Sequence, residues 1–217
     1  AIGDRRAHLS LSMAYGRALG AAGNVAANLA LASENQRVAL EIDDVGVQAD
    51  ACTGVVGALF FAARLPEALQ MAEEALARFP RRGLGEEWTS GINPYSGLSL
   101  LRGICLYWTG RQPEGLVELG RCRRLAEEDG TPELAGYARF YSAEAHYFAH
   151  DADRALASAR QLEEISRRLG EPPAVVAVTQ LAFGYAHLAA GRAADAIDPA
   201  RAALDLHGRV NRSNAGI

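Results

Sequence analysis

His146 and His150 stand four residues apart, the spacing at which two imidazoles on one helix can share a metal ion, and Asp151 and Asp153 follow directly. The central glutamate of the zinc-protease pattern is missing, so no metal is expected there. Ser142 precedes His146 by four residues, but no orienting acid or oxyanion hole accompanies the pair, and hydrolase chemistry finds no support. Asp43 and Asp44 lack the third acid that a metal-dependent all-α prenyl-transfer enzyme would place nearby. All 22 basic residues are arginine. Without lysine the chain has no phosphate-loop lysine, no pyridoxal Schiff base and no lysine general base. Cys52, Cys105 and Cys122 are odd in number and widely separated, which reads as apolar packing in a reducing cytoplasm. Arg121, Arg123 and Arg124 read as positive charge near a helix end, where it complements the helix dipole, with binding of phosphate or an acidic partner as the other reading. The residues therefore assign no catalytic group, no metal and no cofactor, and function falls to a surface.

That surface has to be built from helices. The chain has 217 residues, 43 of them alanine, and only 7% aromatics, a composition for helices packed closely through small side chains. Its length suffices to bury roughly 70% of the unfolded surface. A net charge of −4 gives no general footprint for nucleic acid. The longest apolar stretch, Ala51 to Ala63, is too short for a membrane span, and no signal core follows Asp4, Arg5 and Arg6. The chain opens at Ala1 without methionine and is read as a piece of something longer.

Short helical hairpins cannot bury their apolar faces alone, so an alanine-rich helical chain is expected to repeat. Five turn segments recur, anchored at Gly23, Ala63, Gly110, His150 and Gly191, with spacings of 40, 47, 40 and 41 residues. Each ends one helix and is followed by small, acidic or proline residues suited to the first turn of the next. The first helices are expected at 5–21, 47–62, 96–109, 132–149 and 173–190. The hairpins run approximately over 5–41, 47–80, 96–129, 132–169 and 173–208, in a single domain over 1–217. Residues 81–95, with Trp88, form the one long loop, either an ordinary connection or a loop overhanging a groove.

Counted from Ala49, Ala63 takes a glycine slot before the turn, Leu65 a turn hydrophobe, Ala68, Ala72 and Ala75 the small slots of the second helix, and Pro80 a terminal proline. Gly184, Gly191, Ala196, Ala200, Ala203 and Leu204 match the same slots in the fifth hairpin, and Gly103, Gly110 and Gly115 in the third. The pattern resembles the tetratricopeptide repeat (TPR). It departs from it in having no signature tryptophan, in Asn28 at a small-residue slot and His150 at the turn glycine, and in units of about 40 residues instead of about 34. The resemblance implies an all-α, right-handed α–α superhelix of about five TPR-like hairpins.

The turn phrasing Gly91-Ile92-Asn93-Pro94-Tyr95, Gly130-Thr131-Pro132, Leu169-Gly170-Glu171-Pro172 and Ala189-Ala190-Gly191-Arg192 is similar to the C-terminal repeats of bacterial multidomain ATPase regulators, cyclase-linked or LuxR-type. This implies a non-catalytic interaction or sensor module in a cytoplasmic signalling protein. It would contact a protein or peptide partner or an adjacent ATPase or output domain, without touching nucleic acid or membrane itself. In TPRs the first helices line the concave face. The slots facing it include Phe60, Phe61, Tyr107, Trp108, Phe140, Glu144, Tyr147, Phe148 and Tyr185, with Arg102 and Arg139 nearby to orient a carboxylate. Fully open, the six paired rings would expose roughly 1,000 Å² or more, beyond what an idle surface carries. Two resolutions stay open: packing between hairpins, or an amphipathic groove for a partner. The competing class is a self-contained all-α small-molecule binder or enzyme with a concave pocket.

Overall fold

A helix that must reverse direction within three residues needs one residue in the left-handed region, where glycine is unstrained and a Cβ is not. The computed structural model, which describes residues 5–84 and 91–214, shows this at all five anchors. Gly23, Ala63, Gly110, His150 and Gly191 have φ of 78°, 56°, 88°, 55° and 71°. Each turn closes with the same pair of hydrogen bonds. At the second, Ala63 N–H donates to the Phe60 carbonyl (2.9 Å) and Arg64 N–H to the Leu59 carbonyl (3.0 Å), satisfying carbonyls the helix would otherwise leave open. Ala63 and His150 therefore do the work of glycine in spite of their side chains.

Ten α-helices result, and no strand, among the described residues: α1 Arg5–Ala21, α2 Val25–Ala39, α3 Val45–Phe61, α4 Leu65–Arg78, α5 Pro94–Trp108, α6 Gln112–Glu128, α7 Pro132–Phe148, α8 Ala152–Arg168, α9 Pro173–Ala189 and α10 Ala193–Asn214. The odd-numbered members are the first, or A, helices of the hairpins and the even-numbered the second, or B, helices. The expected A helices match within two residues. The shifts have local causes: Asp44 caps α3 by accepting from Val47 N–H (3.0 Å), and Asn93 caps α5 by accepting from Tyr95 N–H (3.0 Å). B helices begin with an acid where the dipole favours one, as Glu67 paired to Arg64 and Glu114 held by Arg111 Nε at 2.8 Å. Only the start of the long connection is described: a 3₁₀ turn at Arg81–Gly83, then Leu84, which is buried against Gly46. Trp88 lies outside the described residues.

The chain forms two compact units, 1–114 and 115–217, the division falling within α6. In the first, α3 packs against α1, α2 and α4, and α5 against α3 and α4; in the second, α9 packs against α7, α8 and α10. Small residues make the close approach possible. Ala68, Ala72 and Ala75 of α4 are at most 3% exposed, and Ala155 and Ala159 of α8 are fully buried. The first hairpin solves the same problem differently. Asn28 stands where α4 has Ala68, and Gly20 stands where α3 has Phe60; a Cβ on Gly20 would come within 2.8 Å of Asn28 Nδ2. A larger B-helix residue is thus matched by a missing A-helix side chain.

Replacing Ala63 or His150 by glycine removes the left-handed Cβ penalty, offset in part by greater unfolded-chain freedom. Each change is expected to raise the unfolding free energy by about 0.5–1 kcal/mol. Gly110→Ala should lower it by about 1 kcal/mol, all three read by urea denaturation.

Candidate functional site

The last two residues of successive A helices carry paired rings because the same register recurs ahead of each turn: Phe60 and Phe61, Tyr107 and Trp108, Tyr147 and Phe148. Successive residues on a helix point about 100° apart, so the two members of a pair have different fates. The inner members go toward the packing, Tyr107 to 3% exposure and Phe60 and Tyr147 half-buried. The outer members, Phe61, Trp108 and Phe148, stay 53%, 48% and 43% exposed.

In the first unit, Phe60 and Phe61 stack obliquely with centroids 5.5 Å apart, and Phe61 lies over the space that Gly20 leaves. Trp108 Nε1 donates to the Tyr107 hydroxyl at 2.8 Å, which fixes the indole with one face outward. Arg102 sits elsewhere on α5 and reaches Glu73 of α4 at 3.3 Å. A second feature of this unit was not foreseen from the sequence. Between α2 and α4 runs a groove of about 660 Å³, floored by Leu29, Val55, Leu59 and Met71 and rimmed by Arg64, Glu67, Gln70 and Glu74. Its rim groups hold one another: Arg64 pairs with Glu67, and Gln70 donates to Glu74 at 2.9 Å. The signal for it was Leu29 of α2 and Met71 of α4, apolar residues among the polar Ser33, Gln36, Gln70 and Glu74.

In the second unit, Phe140, Glu144, Tyr147 and Phe148 share one stripe of α7 at helical spacing. Tyr185 of α9 joins them. Its hydroxyl donates to Glu144 Oε1 at 2.7 Å, its ring stacks on Tyr147 at 5.5 Å, and it lies 6.1 Å from Phe140. Phe140 and Glu144 are buried at 8% and 6%. Tyr141, not selected from the sequence, packs edge-on to Phe140 at 4.9 Å. Burial first, then the Glu144 carboxylate, pushes the Tyr185 phenol above the usual tyrosine range, and burial does the same for Tyr141. Arg139 is off this stripe. Burial, with the charge of Arg123 on α6 beside it, holds its pKa below the usual arginine value. Thus Phe140, Glu144, Tyr147, Phe148 and Tyr185 come together, while Arg102 reaches another helix and Arg139 lies off the stripe. Tyr107 and Phe140 are core residues that support their neighbours.

The remaining chemically suggestive residues resolve locally. α7 ends at Phe148 and His150 occupies the left-handed turn, so the two histidines are not ligands on one helix face. Ser142 Oγ donates to the Ala138 carbonyl at 2.7 Å rather than to His146, whose pKa burial lowers. Burial pushes the Cys105 and Cys122 thiols up to about 11 and about 12, leaving them protonated at neutral pH. Arg121 and Arg123 lie inside α6, which extends to Glu128, and pair along it with Glu118 and Glu127 instead of ending the helix. Asp44 is a helix cap. Among the described residues no group of three His, Cys, Asp or Glu side chains could hold a metal ion.

Comparison with solved structures gives BtubC (BKLC) from P. vanneervenii, with a TM-score of 0.63 at 17% identity over 100% of this chain and 93% of that one. Two crystal structures of a putative kinesin light chain from Podosopora anserina, with nearly identical TPR-like repeats, match at TM-scores of 0.58 and 0.57 and 11% identity. They cover 96% and 95% of this chain and 99% and 98% of theirs. At such identities the likeness shows the fold: this is an all-α protein of TPR-like repeats. No protein-family model matches the chain, and no curated protein matches it in sequence.

Removing the Tyr185 hydroxyl takes a donor from a buried carboxylate. Tyr185→Phe is expected to cost about 1.5–3 kcal/mol in urea denaturation at neutral pH. Because the folded-state pKa values of Tyr141 and Tyr185 are raised, their contribution is complete below the unfolded tyrosine value of about 10 and is lost as pH rises above it. Spectrophotometric titration should show these two phenols ionising above the ordinary tyrosine value of about 10.

Proposed function

We propose that the chain is a non-catalytic protein-interaction scaffold that binds a peptide or partner domain through the A-helix ends. One observation carries this reading: the same register position holds a large aromatic in three successive A helices, Phe61, Trp108 and Phe148, and leaves each about half exposed. Large rings at interfaces supply contact area at small entropic cost, and a position that serves only solvation would not need them. In the first unit the contact is made by Phe61 and Trp108, with the indole held by Tyr107. In the second it is made by Phe148 and Tyr147, backed by the Glu144–Tyr185 pair. TPR-like repeats in general serve protein–protein contact, which supports the scaffold reading. The turn phrasing supports a finer one, in which the scaffold belongs to a cytoplasmic signal-transduction ATPase or cyclase-linked regulator and passes partner binding to an attached domain. Differential fit would drive that transfer, because each hairpin touches mainly its neighbours. No helix among the described residues is long and apolar enough to cross a membrane.

A phage-displayed library of random peptides, panned on the chain, tests the reading. Selected peptides should bind the combined Phe61→Ala, Trp108→Ala, Phe148→Ala variant at least tenfold more weakly. Its stability should fall by less than the roughly 3–5 kcal/mol that a single core aromatic would cost. Peptides that bind wild type and variant alike would refute it.

A further inference from the structure

Three helices of the first unit form a trough with one open side: α3 is its floor, and α2 and α4 are its walls. The groove of about 660 Å³ described above is continued by a smaller hollow of about 130 Å³, which shares Gln36, Met71 and Glu74 with it and reaches Leu40 and Phe79. From Ala26 to Leu40 the α2 wall measures about 20 Å at a rise of about 1.5 Å per residue. Its lining residues Ala26, Leu29, Ala30, Ser33, Gln36 and Leu40 recur every third or fourth position, one stripe of the helix. On the floor Val55 and Leu59 are 4% and 5% exposed, Leu29 and Met71 at the sides are half-buried, and Leu40 at the far end is 56% exposed. Exposed Ala26 and Ala30 keep that wall low, so another backbone can come close.

The walls and floor select the form of an occupant. Each is a helix whose amides are bonded internally, so the trough offers no ladder of main-chain donors and acceptors. An extended peptide pressed into it would bury its own amides unpaired, whereas a helix arrives with them already paired. A length of about 20 Å suits a helix of about fourteen residues, held by apolar anchors at three- and four-residue spacing.

Charge selects the sequence of that helix. Arg64, Glu67, Glu74 and Arg78, all on the α4 side, are the charged residues of the lining. Arg64 and Glu67 pair with each other at one end. Glu74 accepts from the neutral amide of Gln70 at 2.9 Å, and Arg78 donates to the neutral amide of Gln48 at 3.4 Å and lies 4.9 Å over the Phe79 ring. The α2 wall adds no charge, since Glu34 and Arg37 lie outside the lining and pair with each other. One wall thus presents an acid and, one turn on, a base, opposite a wall that is neutral.

We infer that this trough docks an amphipathic helix of a partner protein, about four turns long, with a base against Glu74 and an acid one turn away against Arg78. It is a second surface, separate from the aromatic positions used above, because Phe61, Trp108 and Phe148 do not line it.

Two designed helical peptides of about fourteen residues test this, each with a leucine stripe and one bordering lysine–glutamate pair four residues apart, in opposite order. Fluorescence anisotropy with the full chain should show one order binding more tightly than the other by roughly fivefold or more, with the gap narrowing in high salt. A lysine–glutamate pair on one border can meet α4 in only one direction of docking, so one order alone fits. The charge-exchanged variant, Glu74→Arg with Arg78→Glu, should reverse the preference. Ala30→Trp, at an exposed lining position, should weaken the preferred peptide at least tenfold, and circular dichroism checks that both variants keep their helix. The Phe61→Ala, Trp108→Ala, Phe148→Ala variant should bind it as wild type does. Failure of both peptides to bind, equal binding of the two orders, a preference that the exchanged variant leaves unchanged, or full binding by Ala30→Trp overturns the inference. Loss of binding in the triple aromatic variant overturns it as well, by placing the peptide on the other surface.

Discussion

The left-handed residue at each hairpin turn is the constraint from which the rest follows. It ends every A helix at the same point, commits the last carbonyls to a fixed pair of hydrogen bonds, and is followed two residues later by the start of the B helix. Because the turn sets the register, the residues just before it fall at the same place on every A helix. That is why an aromatic pair can recur with one ring packed and one ring open. The turn holds even at Ala63 and His150, where the side chain opposes it. Tertiary packing of the two helices therefore outweighs a local penalty of about 1–2 kcal/mol.

Close packing through alanine is the second layer. Helices whose facing positions are Ala68, Ala72 and Ala75, or Ala155 and Ala159, approach nearly as far as their backbones permit, so each position tolerates little added volume. In the first hairpin Asn28 faces Gly16 and Gly20 instead. The exchange leaves no side chain at the inner-ring position of α1, and Phe61 of the next A helix spreads over the vacated space. A packing compensation at the core thereby decides where a surface aromatic can lie.

Charge plays a supporting part. Most ion pairs run along single helices, such as Arg37 with Glu34 and Arg123 with Glu127, on exposed or half-exposed faces, where each contributes a few tenths of a kcal/mol. The Glu144–Tyr185 contact is of another kind. It joins two A helices through a buried carboxylate, and it holds Tyr147 and Phe140 in a fixed arrangement around it. Rigidity there favours an open ring beside it, since a preorganised aromatic loses less freedom when a partner covers it.

Helix boundaries, the hairpin anchors and the all-α class could be read directly from the chain, because they depend on local chemistry: glycine or its stand-ins at turns, proline and acids at helix starts, and small residues at period-four spacing. The recurrence of Phe60–Phe61, Tyr107–Trp108 and Tyr147–Phe148 was equally legible. Which member of each pair is open was not, since that depends on what the neighbouring helix presents at the same height. Nor could sequence order show that Arg102 turns to Glu73, that Arg139 is half-buried, or that Glu144 meets Tyr185 forty-one residues away. Those outcomes are fixed only when helices distant in sequence are brought to contact distance, where volume and desolvation decide which side chain is enclosed and which is left facing water.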